Sequence, residues 1–161
     1  MFSFLKKKKK EIKAVCSGTV LSITESSDET FASCMLGNGV MIRPTDTGVV
    51  DILAPCSGEI TAFMEDSGHA VGIRTEYGLE LMIHIGVDTV QMNGEGFTGF
   101  ISQGKQIKEG EKLVSFDRDM VEGKGYCCDV MMIMLNGNNF PNSVYNTGME
   151  AVAGQTVVAE L

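Results

Sequence analysis

The sequence predicts an all-β fold: a compact antiparallel β-sandwich or barrel carrying an internal pseudo-repeat, with at most short helices. Three observations carry this. Short runs rich in Val, Ile and Leu alternate with glycine, which supplies 19 of the 161 residues. No long stretch keeps a helical period. Two motifs recur in order. Cys16-Ser17-Gly18 returns as Cys56-Ser57-Gly58, and Ile107-Lys108-Glu109-Gly110-Glu111-Lys112-Leu113-Val114 is echoed by Ala151-Val152-Ala153-Gly154-Gln155-Thr156-Val157-Val158. Each looks like a glycine turn feeding a strand.

Residues 1–11 read as a flexible basic tail, because Lys6 to Lys10 are five consecutive lysines. Met1-Phe2-Ser3-Phe4-Leu5 places its apolar part before the charges, the reverse of a secretory signal. One reading of the tail is a solvated leader. The other is a weak membrane-surface contact in which Phe2, Phe4 and Leu5 insert beside the lysines, each lysine worth about 1 kcal/mol at an anionic leaflet. The domain occupies residues 12–161. The apolar runs place strands at Thr19–Thr24, Gly39–Arg43, Val49–Leu53, Glu59–Phe63, His69–Arg74, Leu79–Ile85, Lys112–Phe116, Asp129–Met134 and Thr156–Ala159. Glycines precede most of them. Short helices are expected after Asp88 and after Asp117. The chain opens with Met and ends after a strand, which reads as a free-standing subunit; a piece of a longer protein is the alternative.

Formal net charge is −8, but without residues 1–10 eight basic groups face 21 acidic ones, a net of −13. An acidic body repels nucleic acid and suits a partner with a basic docking face. No apolar run approaches the roughly 18 residues of a membrane span. Cys16, Cys34, Cys56, Cys127 and Cys128 are odd in number and lack C-x-x-C or zinc-finger spacing. They read as free thiols of a cytoplasmic protein, serving as small core hydrophobes.

The chain has only two histidines, His69 and His84. In the run 79–85, Leu79, Leu81, Ile83 and Ile85 share one face, and Glu80, Met82 and His84 the other. With Glu76-Tyr77 as a two-residue loop, His69 falls opposite His84, with Cβ atoms about 5 Å apart. With Tyr77-Gly78 as the loop the two are diagonal neighbours, roughly 7–8 Å apart. A three-residue loop breaks the argument.

Two chemistries fit paired imidazoles. One is metal ligation: His84-Ile85-Gly86-Val87-Asp88 offers two ligands and His69 a third, making a zinc module or metallohydrolase of His69, His84 and Asp88. No third histidine exists to supply a His-x-His pair. The other is nucleophilic phosphoryl acceptance, one ring attacking and the other hydrogen-bonding the phosphoryl oxygens. That chemistry needs an apolar rim against water, for which Val40, Val71, Met82, Ile85 and Val87 are the candidates.

The run Leu79-Glu80-Leu81-Met82-Ile83-His84-Ile85-Gly86-Val87-Asp88-Thr89-Val90 resembles the phosphohistidine segment of glucose-type enzyme IIA of the bacterial phosphoenolpyruvate-dependent sugar phosphotransferase system. Gly94-Glu95-Gly96-Phe97, His69-Ala70, Gly37-Asn38-Gly39-Val40-Met41-Ile42-Arg43-Pro44, and Gln103-Gly104-Lys105-Gln106-Ile107-Lys108-Glu109-Gly110 through Ser115-Phe116-Asp117 match in the same order. The resemblance covers roughly residues 13–161, densest between 37 and 117. It implies a β-sandwich of the duplicated-hybrid-motif type and a phosphotransferase component. By it, His84 would accept a phosphoryl group on Nε2 from phospho-HPr. It would pass the group to a cysteine of a cognate EIIB domain during sugar uptake. His69 would stabilise the phosphoryl group, needed more for donation than for acceptance. Asp88 would help dock basic partner residues, and Ser67, where the family has Thr, would hydrogen-bond the site. No cofactor is required; zinc on His69 and His84 would be incidental. The resemblance also allows regulatory protein partners. Asn38 departs from the family's Asp, which removes one of two flanking carboxylates. Cys56 stands where an apolar residue is more usual.

Overall fold

The computed structural model describes residues 9–161. Fourteen strands run in chain order: β1 (Glu11–Lys13), β2 (Gly18–Ser22), β3 (Asn38–Pro44), β4 (Val49–Leu53), β5 (Gly58–Phe63), β6 (Ala70–Arg74), β7 (Glu80–Ile85), β8 (Phe97–Gly99), β9 (Gln106–Ile107), β10 (Lys112–Asp117), β11 (Val130–Met134), β12 (Val144–Tyr145), β13 (Met149–Ala151) and β14 (Val157–Glu160). Two short helices, α1 (Glu29–Ala32) and α2 (Arg118–Gly123), and three single 3-10 turns complete the described residues. All strand pairings are antiparallel. An eight-stranded sheet has the order β13-β2-β3-β11-β7-β6-β5-β9; two three-stranded sheets have the orders β1-β14-β12 and β4-β10-β8. One large core joins the large sheet to both small ones. It takes Ile42, Leu81, Ile83 and Val130 from the former, and Ile12, Ile52, Phe116 and Val158 from the latter. No helix among the described residues is long and apolar enough to cross a membrane.

The recurring motifs mark a pseudo-two-fold. Gly18 and Gly58 open β2 and β5, and a Cβ at either would lie 2.1 and 2.4 Å from the carbonyl oxygens of Arg43 and Arg74. Only glycine allows so close an approach. Ser17 and Ser57 accept hydrogen bonds at Oγ from the backbone of Ala153 and Glu109, at 3.0 and 2.9 Å. Gly154 and Gly110, both at positive φ, donate to the carbonyls of Ala14 and Ala54. The two small sheets correspond strand for strand. The halves meet at the pair Met132–Ile83 in the middle of β11 and β7. Cys16 and Cys56 occupy matching core positions, and burial pushes both thiols up to about 12. All five cysteines are free.

Each expected strand is present, shifted by one or two residues at some ends. Thr19–Thr24 is cut short at Ser22, because Ser22 and Glu25 form a reciprocal capping box that starts a 3-10 turn at Ile23. Asp88 and Asp117 precede a 3-10 turn, Thr89–Met92, and α2. Residues 9–11, expected in the tail, pack against the C-terminal strand. Glu11 pairs with Glu160, Leu161 N donates to Lys10 O at 2.9 Å, and Lys9 pairs with Glu160 at 3.2 Å. Fully buried Ile12 anchors this strand in the core. The rest of the tail, with Phe2, Phe4 and Leu5, lies outside the described residues. Strands β1, β8, β9, β12 and β13 and helix α1 were not expected.

Candidate phosphohistidine site

His84 stands at the end of β7, on the face of the large sheet turned away from the main core. A cross-sheet row runs Leu21, Met41, Met131, His84 and Ala70 through β2, β3, β11, β7 and β6. This outer face has its own small core of Ile23, Phe31, Met41, Met131 and Ile133, edged by Leu21, Cys34, Met82 and Val87. The 3-10 turn at Ile23 and helix α1 cover it, so the imidazole sits at the border of an apolar cluster.

Neither two-residue loop joins β6 to β7. Thr75 N donates to Leu79 O at 3.0 Å, Leu79 N donates to Thr75 Oγ1 at 2.9 Å, and Gly78 takes φ +89°. The loop therefore holds three residues, Glu76, Tyr77 and Gly78, with glycine in the left-handed position that such loops favour. The register moves by one: Ala70, not His69, lies opposite His84, and Ile85 N donates to His69 O at 2.7 Å. The histidines nevertheless meet. Strand β6 begins at Ala70, so His69 escapes the alternation, and Gly68 at φ +64° turns the chain before it. The two rings lie edge to face, 4.9 Å between centroids at 83°.

A hydrogen bond at each Nδ1 orients the rings. His84 Nδ1 lies 2.8 Å from Gly86 O. A carbonyl only accepts, so Nδ1 carries the proton and Nε2 keeps its lone pair. Gly86 is itself fixed: its φ is +79°, its N–H donates to Asp129 O at 2.9 Å, and Thr89 Oγ1 bonds Ile85 O. His69 Nδ1 lies 2.8 Å from Ser67 Oγ, in buried surroundings. Burial, then the neighbouring His84, pushes His69 down to about 4. Burial also lowers His84, opposed by the Gly86 carbonyl and by the Asp28 and Asp88 carboxylates. Both rings are therefore neutral near pH 7, and Nε2 of His84 is a competent nucleophile.

Asp88 is exposed, holds φ +60° and makes no capping hydrogen bond, so it acts on His84 only through its charge. Among the described residues no three His, Cys, Asp or Glu groups form a metal-binding set, so His69, His84 and Asp88 do not make the zinc site considered above. The apolar rim also differs. Met82 and Val87 edge the cluster beside His84, whereas Val40, Val71 and Ile85 point into the main core, because strand alternation sends them to the inner face. Their places are taken by Phe31, Met41 and Met131. Phe31 packs on His84 at 4.9 Å between centroids. Neither Phe31 nor Asp28 was expected at the site. The signal was present in Ser22-Ile23-Thr24-Glu25, a capping-box pattern that starts the segment carrying both. Asn38 is exposed, and its Oδ1 accepts from Gly39 N at 2.8 Å.

An open groove of about 770 Å³, lined by Lys9, Lys10, Arg74 and Tyr77 among others, lies at the other end of the β6–β7 hairpin and contains neither histidine. The histidine pair lies outside this groove.

A family model described as "phosphoenolpyruvate-dependent sugar phosphotransferase system, EIIA 1" matches residues 10–140. The glucose-specific EIIA component of Bacillus cereus is 37% identical over 150 residues, 93% of this chain and 88% of that protein. The β-glucoside-specific EIIBCA component of Halalkalibacterium halodurans is 35% identical over 150 residues, 93% of this chain but 23% of that longer protein. Among solved structures, glucose permease IIA from Mycoplasma capricolum superposes with a TM-score of 0.85 at 34% identity, covering 98% of this chain and 99% of that one.

Proposed function

Since the chain belongs to the EIIA 1 family of the phosphoenolpyruvate-dependent sugar phosphotransferase system, and is thus a phosphocarrier of that system, we propose that His84 Nε2 is its phosphoryl acceptor and His69 its phosphoryl-stabilising neighbour. The observation that carries this is the pair of oriented rings: Gly86 O claims His84 Nδ1, and the His69 ring stands 4.9 Å away.

The lone pair of His84 Nε2 attacks phosphorus of phospho-HPr. The bond from phosphorus to the donor histidine breaks, and its electron pair returns to that imidazole. While the new bond forms, positive charge on the His84 ring is eased by Gly86 O through Nδ1–H and by the nearby carboxylates of Asp28 and Asp88. If Ser67 Oγ–H donates to His69 Nδ1, His69 carries its proton on Nε2 and can donate it to a phosphoryl oxygen without being charged. A cysteine thiolate of an EIIB domain then takes the phosphoryl group, and the electron pair returns to His84 Nε2. The relatives that carry EIIA, EIIB and EIIC in one chain support EIIB as acceptor. We infer a cytoplasmic location, which the free thiols fit.

Transfer from labelled phospho-HPr tests the assignment. His84→Ala takes no label. His69→Gln takes label at a rate near wild type and passes it to EIIB slowly. Normal labelling of His84→Ala would overturn the site.

A further inference from the structure

We propose that Phe31 is a positioning residue for His84, and that helix α1 serves to hold its ring against the imidazole and to keep water from the phosphorylated form. This deepens the proposed function and rests on it.

The imidazole is held on three sides. Nδ1 is tied to Gly86 O, the His69 ring meets it edge to face, and the Phe31 ring packs against it at 4.9 Å, tilted by 56°. The first two contacts come from the hairpin that carries both histidines. The third comes from elsewhere in the chain, and with Met131 of β11, the cross-strand neighbour of His84, it closes the apolar side. Phe31 is 4% exposed and shares its apolar cluster with Met41, Met131 and Ile133. A partner protein therefore does not read this ring directly; any effect on transfer passes through His84.

The local sequence is arranged to deliver that contact. Ser22 and Glu25 cap one turn, and Asp28 caps the next by accepting from Thr30 N at 2.9 Å. Phe31 N then donates to Asp28 O at 3.0 Å, fixing the backbone under the ring. The pseudo-two-fold gives β3 and β6 matching places, yet no helix lies between β5 and β6 as α1 does between β2 and β3, so α1 is an addition to the repeated plan. It lies over the outer face where the histidine is.

Loss of the phosphoryl group to solvent needs a water oxygen to attack phosphorus. The P–Nε2 bond then breaks, its electron pair returns to Nε2, and inorganic phosphate leaves. An apolar ring packed on the imidazole withholds one side from that water and keeps Nε2 aimed at the incoming group.

The test compares wild type with Phe31→Ala, Phe31→Leu and Phe31→Tyr. Each is labelled through phosphoenolpyruvate, enzyme I and HPr, with thermal unfolding followed in parallel. Phe31→Ala is expected to shorten the half-life of the phosphoprotein several-fold and to lower kcat for transfer about tenfold, with KM for phospho-HPr unchanged. Phe31→Tyr, which keeps the flat ring, restores both. Phe31→Leu keeps apolar bulk and folding should Phe31→Ala unfold; it is expected to lower kcat without changing KM. Half-lives and kcat equal to wild type in folded Phe31→Ala or Phe31→Leu would overturn the role of Phe31 alone. A fall in kcat matched by a rise in KM would do the same, by making the ring part of docking. A wild-type chain that takes no label with competent relay proteins would instead overturn the phosphocarrier site, and this inference with it.

Discussion

At His84 a carbonyl two residues on chooses between the two ring nitrogens. Gly86 O accepts a hydrogen bond from Nδ1–H and leaves the Nε2 lone pair free. Burial then lowers the proton affinity of the ring, so the reactive form predominates at neutral pH. The rate of phosphoryl acceptance is expected to be flat above pH 6.5 and to fall on the acid side, with its midpoint below the ordinary histidine value of 6.5. A pH–rate profile with its midpoint above 6.5 would contradict this. His69 carries a stability consequence. Its value in the fold is about 4 against 6.5 when free. Between these limits the unfolded chain binds a proton that the folded chain refuses, so this group makes stability fall as pH drops from about 6.5 to 4. His69→Gln is expected to flatten that slope in denaturant titrations at pH 7 and pH 5. Ser67→Ala removes the partner of His69 Nδ1; the loss of about 1 kcal/mol should appear as several-fold slower donation to EIIB with acceptance little changed. The pairing of the histidines was legible in the sequence, but by the wrong route. The cross-strand pairing needs a two-residue loop, whereas Gly78 makes three, the case that breaks it, and the turn at Gly68 brings the rings together although the register separates them.

The elements divide by how much of their sequence announces them. Strands with a continuous apolar run, such as Val130–Met134, or strict alternation, such as Glu80–Ile85, were visible because burial dictates both patterns. The unexpected strands β1, β8, β9, β12 and β13 have two or three residues each. They exist through pairing with longer neighbours, and two or three residues cannot display a period. Helix α1 has four residues and one buried side chain, so amphipathic periodicity could not reveal it. Its caps could have. The turn after β7 invites a direct test. A Cβ at Gly86 would come within 2.4 Å of Thr89 Cγ2 and 2.8 Å of Cys127 O, at a φ of +79°. Gly86→Ala is expected to cost about 2 kcal/mol through left-handed strain and overlap, measured by denaturant unfolding. It should also slow acceptance by disturbing the carbonyl that orients His84. A variant with wild-type stability and rate would show that this turn is not the support inferred here.

Across the whole molecule, the pseudo-two-fold gives the site a counterpart. Asn38 and Ile133 occupy the places in one half that His69 and His84 occupy in the other, as the matching pairs Gly39–Ile133 and Ala70–His84 show. An open depression of about 530 Å³, lined by Gly37, Asn38 and Met134 among others, lies beside the counterpart of His69 and holds no histidine. The duplicated plan thus carries its histidine pair in one half only. The glycine and serine motifs made the duplication legible, because close backbone approaches tolerate few substitutes; the difference between the halves lies in the single positions 38 and 133. The short strand β1 belongs to this architecture rather than to a tail. Removing residues 1–13 strips β14 of a partner and exposes the place of buried Ile12. It is expected to cost at least about 2 kcal/mol, seen as a lower thermal midpoint than that of a chain lacking only residues 1–8.

The most direct measurement is intact mass after incubation with phosphoenolpyruvate, enzyme I and HPr, before and after acid, followed by mapping of the modified residue. A gain of a single phosphoryl group, lost in acid, kept in base and mapped to His84, is the predicted result. No gain with relay proteins shown to be active, or a stable group on any other residue, would contradict the account.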